Sequence, residues 1–396
     1  MRAVFAGAAS RQAKANHLCA MGKRILLVDQ FGEITGGQVV LQALISAARD
    51  GGYSVGILAP MGGTLESTLR AVWGDKLDFF HLAEPRFTSG RKGLRDAVRM
   101  VAYCWYVLRF WRLVSGYDAV YVNSGRLALP FFLLSKLTKK PRWYYHVHLC
   151  HSGIEKRLLA LVAGSKRTSH FVMASNFIRD EFARTSGVFS QKPNVSVVQN
   201  CLVHPYNNLA ERDRFTGEAG PLTVALIGRV SPVKGHDILP GLARRFPDLR
   251  FVIIGAVTEE NRAFFDSLFA DAPANLVYCG KTDDLLGMLD QYNVQLSLVP
   301  SRWDEPFGLV SIESMAASCL TLVSNRGMLP HIARTTGAFC FQSDAELVEI
   351  LERFRTAPRA LLHRLARKQY QKAQRFFSFD DFRQKVLAIL DLQVQG

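Results

Sequence analysis

No uninterrupted apolar run in this chain of 396 residues approaches the roughly 18 residues that a membrane-spanning helix needs. The longest, such as Leu127 to Leu134 and Val101 to Leu108, are the size of core elements. Cysteine is sparse and scattered. Cys19, Cys104, Cys150, Cys201, Cys279, Cys319 and Cys340 include no close pair, so neither a disulfide framework nor a zinc spacing is present. Free thiols of a reducing compartment fit this pattern, which makes the sequon Asn194-Val195-Ser196 accidental. A dinucleotide fingerprint is missing as well. The first apolar stretch, Ile25 to Val28, runs into FGEITGG and not into Gly-x-Gly-x-x-Gly, which argues against an NAD-dependent dehydrogenase.

Acidic residues are scarce in one half only. Residues 1–200 hold 27 Lys and Arg against 12 Asp and Glu, whereas residues 201–396 hold 22 of each. The whole formal excess of +15 therefore lies in the first half. Such an asymmetry directs that half toward an anionic partner: phospholipid head groups, a phosphorylated lipid carrier or nucleic acid. From Lys92 to Leu113, Arg95, Arg99, Arg109 and Arg112 recur at near-helical spacing among Trp105, Tyr106, Phe110 and Trp111. This stretch is either an interfacial amphipathic helix or a core helix with an Arg-rich outer face.

What the chain has in abundance is strand–loop–helix alternation. Residues 1–22 lack pattern and are expected to be a disordered leader, with Met21 a candidate start. RILLVDQFGEITGGQVVLQALISAARDGGYSVGILAP then reads as a βαβ unit, with Gly36-Gly37 where the helix begins, so backbone can approach a ligand there. Further strands are expected at Asp118 to Ser124, at WYYHVHLCHSG after Pro141, and at HFVMAS ending in Ser175. In the second of these, His146 and His148 share a face by period-two alternation, with His151 just beyond; no acidic residue close in sequence completes a metal site. The polar stretch Tyr206 to Gly220 is expected to be a linker. A second α/β unit follows, in which the strand LTVALIG leads to Arg229 and Lys234 in the pattern G-R-x-x-x-x-K-G. Two cations at a strand's C-terminal end suit a diphosphate.

The most informative stretch is Ser301 to Leu320, SRWDEPFGLVSIESMAASCL. An apolar strand ends at Pro300, an acidic loop follows, and from about Gly308 the apolar spacing is helical, which places free N–H groups and a positive dipole end beside the loop. Glu305 and Glu313 frame the turn. On a helix they would lie roughly 12 Å apart, wider than the roughly 5–9.5 Å of a hydrolase carboxylate pair, and suited to opposite ends of one elongated, hydroxyl-rich ligand.

EPFGLVSIESMAA resembles the E-P-F-G-x-x-x-x-E-A-M-A signature of retaining GT-B glycosyltransferases, family 4. The resemblance extends over about residues 23 to 390. It implies two Rossmann-like domains facing each other across a cleft: an acceptor-side domain over 23–205, a nucleotide-sugar-binding domain over 221–376, and a C-terminal helix over 377–396 that crosses back to the first. It further implies that Glu305 contacts the donor sugar, that Glu313 holds the ribose, and that the backbone of Gly308, Leu309 and Val310, following Phe307, binds the diphosphate. Arg229 and Lys234 then neutralise the leaving group so that no metal or other cofactor is needed. Gly37 corresponds to the family's N-terminal Gly-Gly loop, Gly280 and Lys281 to the loop near the base. His148, with His146 as the alternative, corresponds to the His near the bond being made. Cys201, Ser318, Leu320 and His331 depart from the family's usual Gly, Gly, Pro and Glu.

The activity so implied is sugar transfer from a nucleotide-sugar donor to a glycan or lipid-linked acceptor, in envelope polysaccharide or glycolipid synthesis. The expected location is cytoplasmic, at the inner face of the cytoplasmic membrane if the basic half binds lipid. A GT-B sugar-nucleotide epimerase or phosphorylase would share the phosphate-binding cations. A basic nucleic-acid-binding protein would explain the charge but leave the Glu pair and the Arg–Lys loop without a role, so no nucleic-acid partner is expected.

Overall fold

The computed structural model describes residues 22–85, 94–151, 153–186, 193–216 and 220–391. The expected leader, Cys19 and Met21 lie outside them. The chain forms two compact units. Unit 1 takes the residues through Ala174, then Ile178–Val198 and the chain from Phe382 onward; unit 2 takes Ser175–Phe177 and Gln199–Asp381.

Unit 1 is built on strands β1 (Arg24–Val28), β2 (Ser54–Ala59), β3 (Leu77–His81), β4 (Ala119–Val122), β5 (Arg142–Val147), β6 (His170–Met173) and β7 (Val195–Val197), in the order β3-β2-β1-β4-β5-β6-β7. Every pairing is parallel. Parallel strands are joined by helical crossovers that cover both faces of a sheet, which is why β1 and β4 read as continuous apolar runs with no polar alternation. The helix Gly36–Asp50 links β1 to β2 and buries Val40, Ala43, Leu44 and Ala47. The arginine-bearing stretch forms the helix Leu94–Leu108 and, after a break at Arg109-Phe110, the short helix Trp111–Ser115. The terminal helix Phe379–Asp391 carries Asp380 and Asp381 in its first turn. Its later residues belong to unit 1: Phe382, Val386, Ile389 and Leu390 are buried, and Arg383 and Asp391 form exposed ion pairs with Asp50 and Lys23.

Unit 2 repeats the arrangement with β8 (Thr223–Ile227), β9 (Arg250–Ile254), β10 (Leu276–Gly280), β11 (Val294–Val299), β12 (Leu320–Ser324) and β13 (Phe339–Phe341), ordered β10-β9-β8-β11-β12-β13 and parallel throughout. In both sheets the strand order reverses beside the first strand, between β1 and β4 and between β8 and β11. Loops leaving the C-terminal ends of strands diverge at such a point and open a crevice for a ligand. The helix start that carries Gly37 and the loops that carry His148, Arg229, Lys234 and Glu305 all follow strand ends at or next to these two points.

One stretch departs from its expectation. Residues 206–216, read as part of a polar linker, pack into unit 2. Tyr206 and Phe215 are buried, and the enclosed Arg214 guanidinium donates to the carbonyls of Ala317 (2.6 Å) and Leu289 (3.3 Å) and to Asp290 (3.0 Å). A single long cation satisfying several carbonyls anchors a segment whose composition is otherwise that of a loop.

Close backbone approach at the β8 and β9 ends positions the loop that bears Arg229. A Cβ on Gly255 would lie 1.8 Å from the Gly228 carbonyl oxygen, and the Gly228 N–H donates to Ile254 O at 2.9 Å. Gly255→Ala is expected to push the Arg229 loop outward and to cost about 2 kcal/mol, read as a lowered denaturant midpoint with an unchanged slope.

Candidate active site

In unit 2 the site is assembled around one carboxylate. Glu305 is 4% exposed and sits in the loop between β11 and the helix Leu309–Ala316. Its Oε1 accepts from Lys234 Nζ at 2.6 Å, from Ser301 Oγ at 2.6 Å and from Trp303 Nε1 at 3.0 Å. Lys234 comes from the loop after β8, lies 5.4 Å over the Trp303 ring and keeps part of its side chain open to solvent. The Glu305 backbone is held too. Its carbonyl accepts the Met328 N–H at 2.8 Å, and the Gly327 N–H donates to Asp304 Oδ1 at 3.1 Å. Gly327 has a φ of 58°, and a Cβ there would sit 2.2 Å from the Glu305 carbonyl oxygen, so the turn after β12 has room for glycine alone.

The structure thus brings Lys234 and Glu305 together. Arg229 lies exposed in the same loop as Lys234, and its guanidinium makes no ion pair or hydrogen bond among the described residues. Gly308, with a φ of 95°, begins the helix Leu309–Ala316. The N–H groups of Leu309 and Val310 have no carbonyl a turn earlier to bond, which is the condition for accepting an anion. Phe307 is buried, edge-on to Phe377 at 5.8 Å, and serves the core beneath the loop. The Glu313 carboxyl, in the second turn, has no hydrogen-bond partner among the described residues, and desolvation pushes it up to about 7. A desolvated carboxyl without a donor is suited to bind hydroxyls. Gly280 closes β10, two strands from β8 in the sheet order, with a φ of 83°.

Unit 1 offers a pocket at its own switch point. Gln30, Thr35, Gly37, Asn123, Arg126 and His148 are among the residues that line it. A Cβ built on Gly37 would meet nothing within 4 Å, so the open space there is not required by the protein's own packing. His148 follows β5, and its Nε2 lies 2.7 Å from Asn123 Oδ1. Burial lowers its value to about 4 and lowers that of His146 well below the ordinary range, so both rings are neutral at neutral pH. His146 is fully enclosed, with its Nδ1 3.1 Å from the Tyr121 hydroxyl. Of the two, His148 lines the pocket. His151 lines it as well, with its Nδ1 3.3 Å from Glu155.

Four participants escaped sequence reasoning: Trp303 and Gly327 in unit 2, Asp29 and Asn123 in unit 1. Trp303 stood inside the stretch singled out. Asp29 is a carboxylate directly after the apolar strand RILLV, a placement that a buried-charge argument would have flagged. Gly327 and Asn123 carry no local signal; their roles depend on contacts with distant strands. Among the departures, Ser318 adopts a φ of 63°, the region glycine enters without strain, and its hydroxyl accepts the Arg212 N–H at 3.0 Å. The backbone path that glycine would take is therefore kept.

Residues 210–373 match the model of the family described as glycosyl transferases group 1. An uncharacterized 42.6 kDa protein in the cps region of Klebsiella pneumoniae is 25% identical over 46% of this chain and 46% of its own. A D-inositol 3-phosphate glycosyltransferase of Mycobacterium sp. (strain KMS) is 32% identical over 34% of this chain and 32% of its own. The chain thus matches less than half the length of these relatives. Among solved structures, Anabaena HepE in complex with UDP and glucose superposes with a TM-score of 0.75 at 18% identity, covering 93% of this chain and 99% of that one. Sucrose-phosphate synthase from Thermosynechococcus elongatus does so with a TM-score of 0.72 at 15% identity, over 93% and 98%. The fold is GT-B.

The Glu313 carboxyl yields a pH test. Its folded value, about 7, lies above the ordinary 4.5, so it favours the folded state below about pH 4.5 and loses that contribution as pH rises through 7. Glu313→Gln removes the titration. Thermal melts are expected to show the Gln variant gaining on the wild type between pH 4.5 and 7.5, by up to about 3 kcal/mol; a gap that is constant with pH contradicts the assignment.

Proposed function

We propose that this GT-B chain, whose residues 210–373 form a glycosyl transferases group 1 domain, transfers a sugar from a nucleotide-sugar donor to an acceptor hydroxyl with retention of anomeric configuration. The observation that carries the reading is the meeting of Lys234 and Glu305 at the β8/β11 switch point, beside Arg229 and the start of the helix Leu309–Ala316. In this reading the donor lies on unit 2. Arg229, Lys234 and the N–H groups of Leu309 and Val310 face the diphosphate, and charge that grows on the departing oxygen meets fixed cations and dipoles. Glu305 orients the sugar and Lys234 at once, since it accepts from that lysine. Glu313 takes the ribose hydroxyls, and the Gly280 and Lys281 loop flanks the base. The UDP and glucose held by HepE, which shares this fold, support a nucleotide-sugar donor. The unit 1 pocket that Gly37 and His148 line serves the acceptor side.

Because two cations oppose the diphosphate, the reaction is proposed to run without a metal. Arg229→Ala and Lys234→Ala are each expected to lose about 2.7–4 kcal/mol of transition-state stabilisation, measured as kcat/KM with nucleotide sugar, and wild-type turnover is expected to survive EDTA. Near-normal turnover in both variants, or an EDTA loss restored by Mg²⁺ or Mn²⁺, refutes the leaving-group assignment.

The acceptor is proposed to be a lipid-linked or envelope glycan, reached by peripheral attachment of unit 1 to the inner face of the cytoplasmic membrane. The position of the Klebsiella relative in a cps region supports the glycan class. Two surfaces support the attachment. The helix Leu94–Leu108 leaves Val98, Val101 and Trp105 exposed by 61%, 57% and 73%, beside the exposed Arg95 and Arg99. A cavity of about 670 Å³ is lined by Lys139, Lys140, Lys166 and Arg167 together with Asp118. Apolar and aromatic side chains rimmed by cations match a headgroup interface, and each basic residue near an anionic surface contributes about 1 kcal/mol. No helix among the described residues is long and apolar enough to cross a membrane. Co-sedimentation with anionic liposomes is expected at low salt, weakening as salt rises and when Arg95, Arg99, Arg109 and Arg112 become Gln. Protein that ignores such liposomes at low salt refutes the attachment.

A further inference from the structure

Behind His148 runs a chain of polar groups whose direction is fixed at one end. Asp29 is fully buried, and its two oxygens have different partners. Oδ1 accepts from the Phe31 N–H at 3.1 Å and from Gln38 Nε2 at 2.6 Å; Oδ2 accepts from Asn123 Nδ2 at 2.8 Å. The same Asn123 nitrogen donates to the Gly37 carbonyl at 3.1 Å. A carboxylate and a carbonyl are acceptors only, so the Asn123 NH2 must face them and its oxygen must face His148. The His148 Nε2, 2.7 Å from that oxygen, therefore carries the ring's one proton. That leaves Nδ1 as a lone pair, enclosed and without a hydrogen-bond partner. The next ring, His146, stands with its centroid 4.1 Å away and has its own Nε2 unpartnered. The Tyr121 hydroxyl, 3.1 Å from His146 Nδ1, can donate to that nitrogen or accept from it, so the direction fixed by Asp29 extends through Asn123 to His148 and ends there.

We propose that Asp29 and Asn123 are positioning residues that lock His148 as its neutral, Nε2-protonated tautomer, so that the ring enters the unit 1 pocket as a fixed wall and not as a proton acceptor. The tautomer follows from the contacts alone; its service to sugar transfer rests on the function proposed above. The arrangement gives Asp29 its reason to be buried. A neutral isostere would fill the space but could not fix the direction of the Asn123 amide.

Asp29→Asn tests this with almost no change in volume. The new side chain must keep its oxygen at the Oδ1 position, where the Phe31 N–H and Gln38 Nε2 both donate. Gln38 is not free to turn, because its Oε1 accepts the Thr35 N–H at 3.1 Å. The new NH2 then opposes the NH2 of Asn123, which can meet it only by turning and giving up the Gly37 carbonyl, so neither direction of the amide satisfies both neighbours. Nitrogen-15 spectra of histidine-labelled protein, recorded at pH 7.5 without ligand, read the tautomer directly. The wild type is expected to show His148 with its proton on Nε2 alone. Asp29→Asn is expected to move the proton to Nδ1 or to split the population, and Asn123→Ala to give a mixture, with the His170 and His236 signals unchanged as a check on the fold. A wild-type proton on Nδ1, or the same pure tautomer in all three proteins, overturns the proposal; should Asp29→Asn fail to fold, the other two spectra decide. In turnover, Asp29→Asn is expected to lower kcat about tenfold, as a misplaced group does, with little change in the KM of the nucleotide sugar. If the wild type turns over no nucleotide sugar, the transferase reading fails while the spectra still judge the tautomer.

Discussion

One oxygen atom, Oε1 of Glu305, ties unit 2 together at its functional edge. It receives Lys234 from the loop after β8 and Ser301 and Trp303 from the loop after β11, while the turn after β12 grips the backbone of the same residue. Three loops from three neighbouring strands thereby meet at one residue, two through its buried carboxylate and the third through its backbone carbonyl. A buried charge of this kind is tolerated only when it is paired and hydrogen-bonded, and removing one partner leaves the other stranded. The consequence for chemistry is preorganisation. Lys234 is held in place before any ligand arrives, and its remaining N–H groups and charge stay available toward solvent.

Unit 1 solves a related problem with the opposite electrostatics. At its own switch point a buried carboxylate, Asp29, meets no cation among its hydrogen-bond partners. Desolvation raises it to about 6, against hydrogen bonds from Asn123, Phe31 and Gln38 that pull it down. The gain is orientation, since an acceptor with no donor capacity dictates the direction of the Asn123 amide and the His148 ring beyond it. The two units thus share a parallel sheet and a crevice rule but use their central carboxylates differently, one to hold a cation and one to hold a tautomer.

Much of this was legible in the sequence. The continuous apolar strands, the helix after Gly36-Gly37, the Arg229 and Lys234 loop and the Glu305 to Glu313 turn are all local patterns, and local patterns survive without knowledge of the fold. Arg214 was lost to a linker reading because a charged residue among polar neighbours gives no hint that carbonyls from elsewhere will satisfy it. Gly327 and Asn123 were missed for the same reason. Their meaning lies in a distance to Glu305 or Asp29 across the sheet. The extent of the helix after Lys92 was overread, because composition does not announce the break at Arg109-Phe110.

The proposed sugar transfer depends on unit 2 being a nucleoside-diphosphate site, and the most direct test is calorimetric titration of the purified protein with UDP, GDP, ADP and dTDP in EDTA. One of the four is expected to bind exothermically with a single site per chain, and that binding is expected to disappear in the double variant Arg229→Ala, Lys234→Ala and to weaken in Glu313→Ala. Binding by none of the four, or equal binding by the wild type and the double variant, would contradict it.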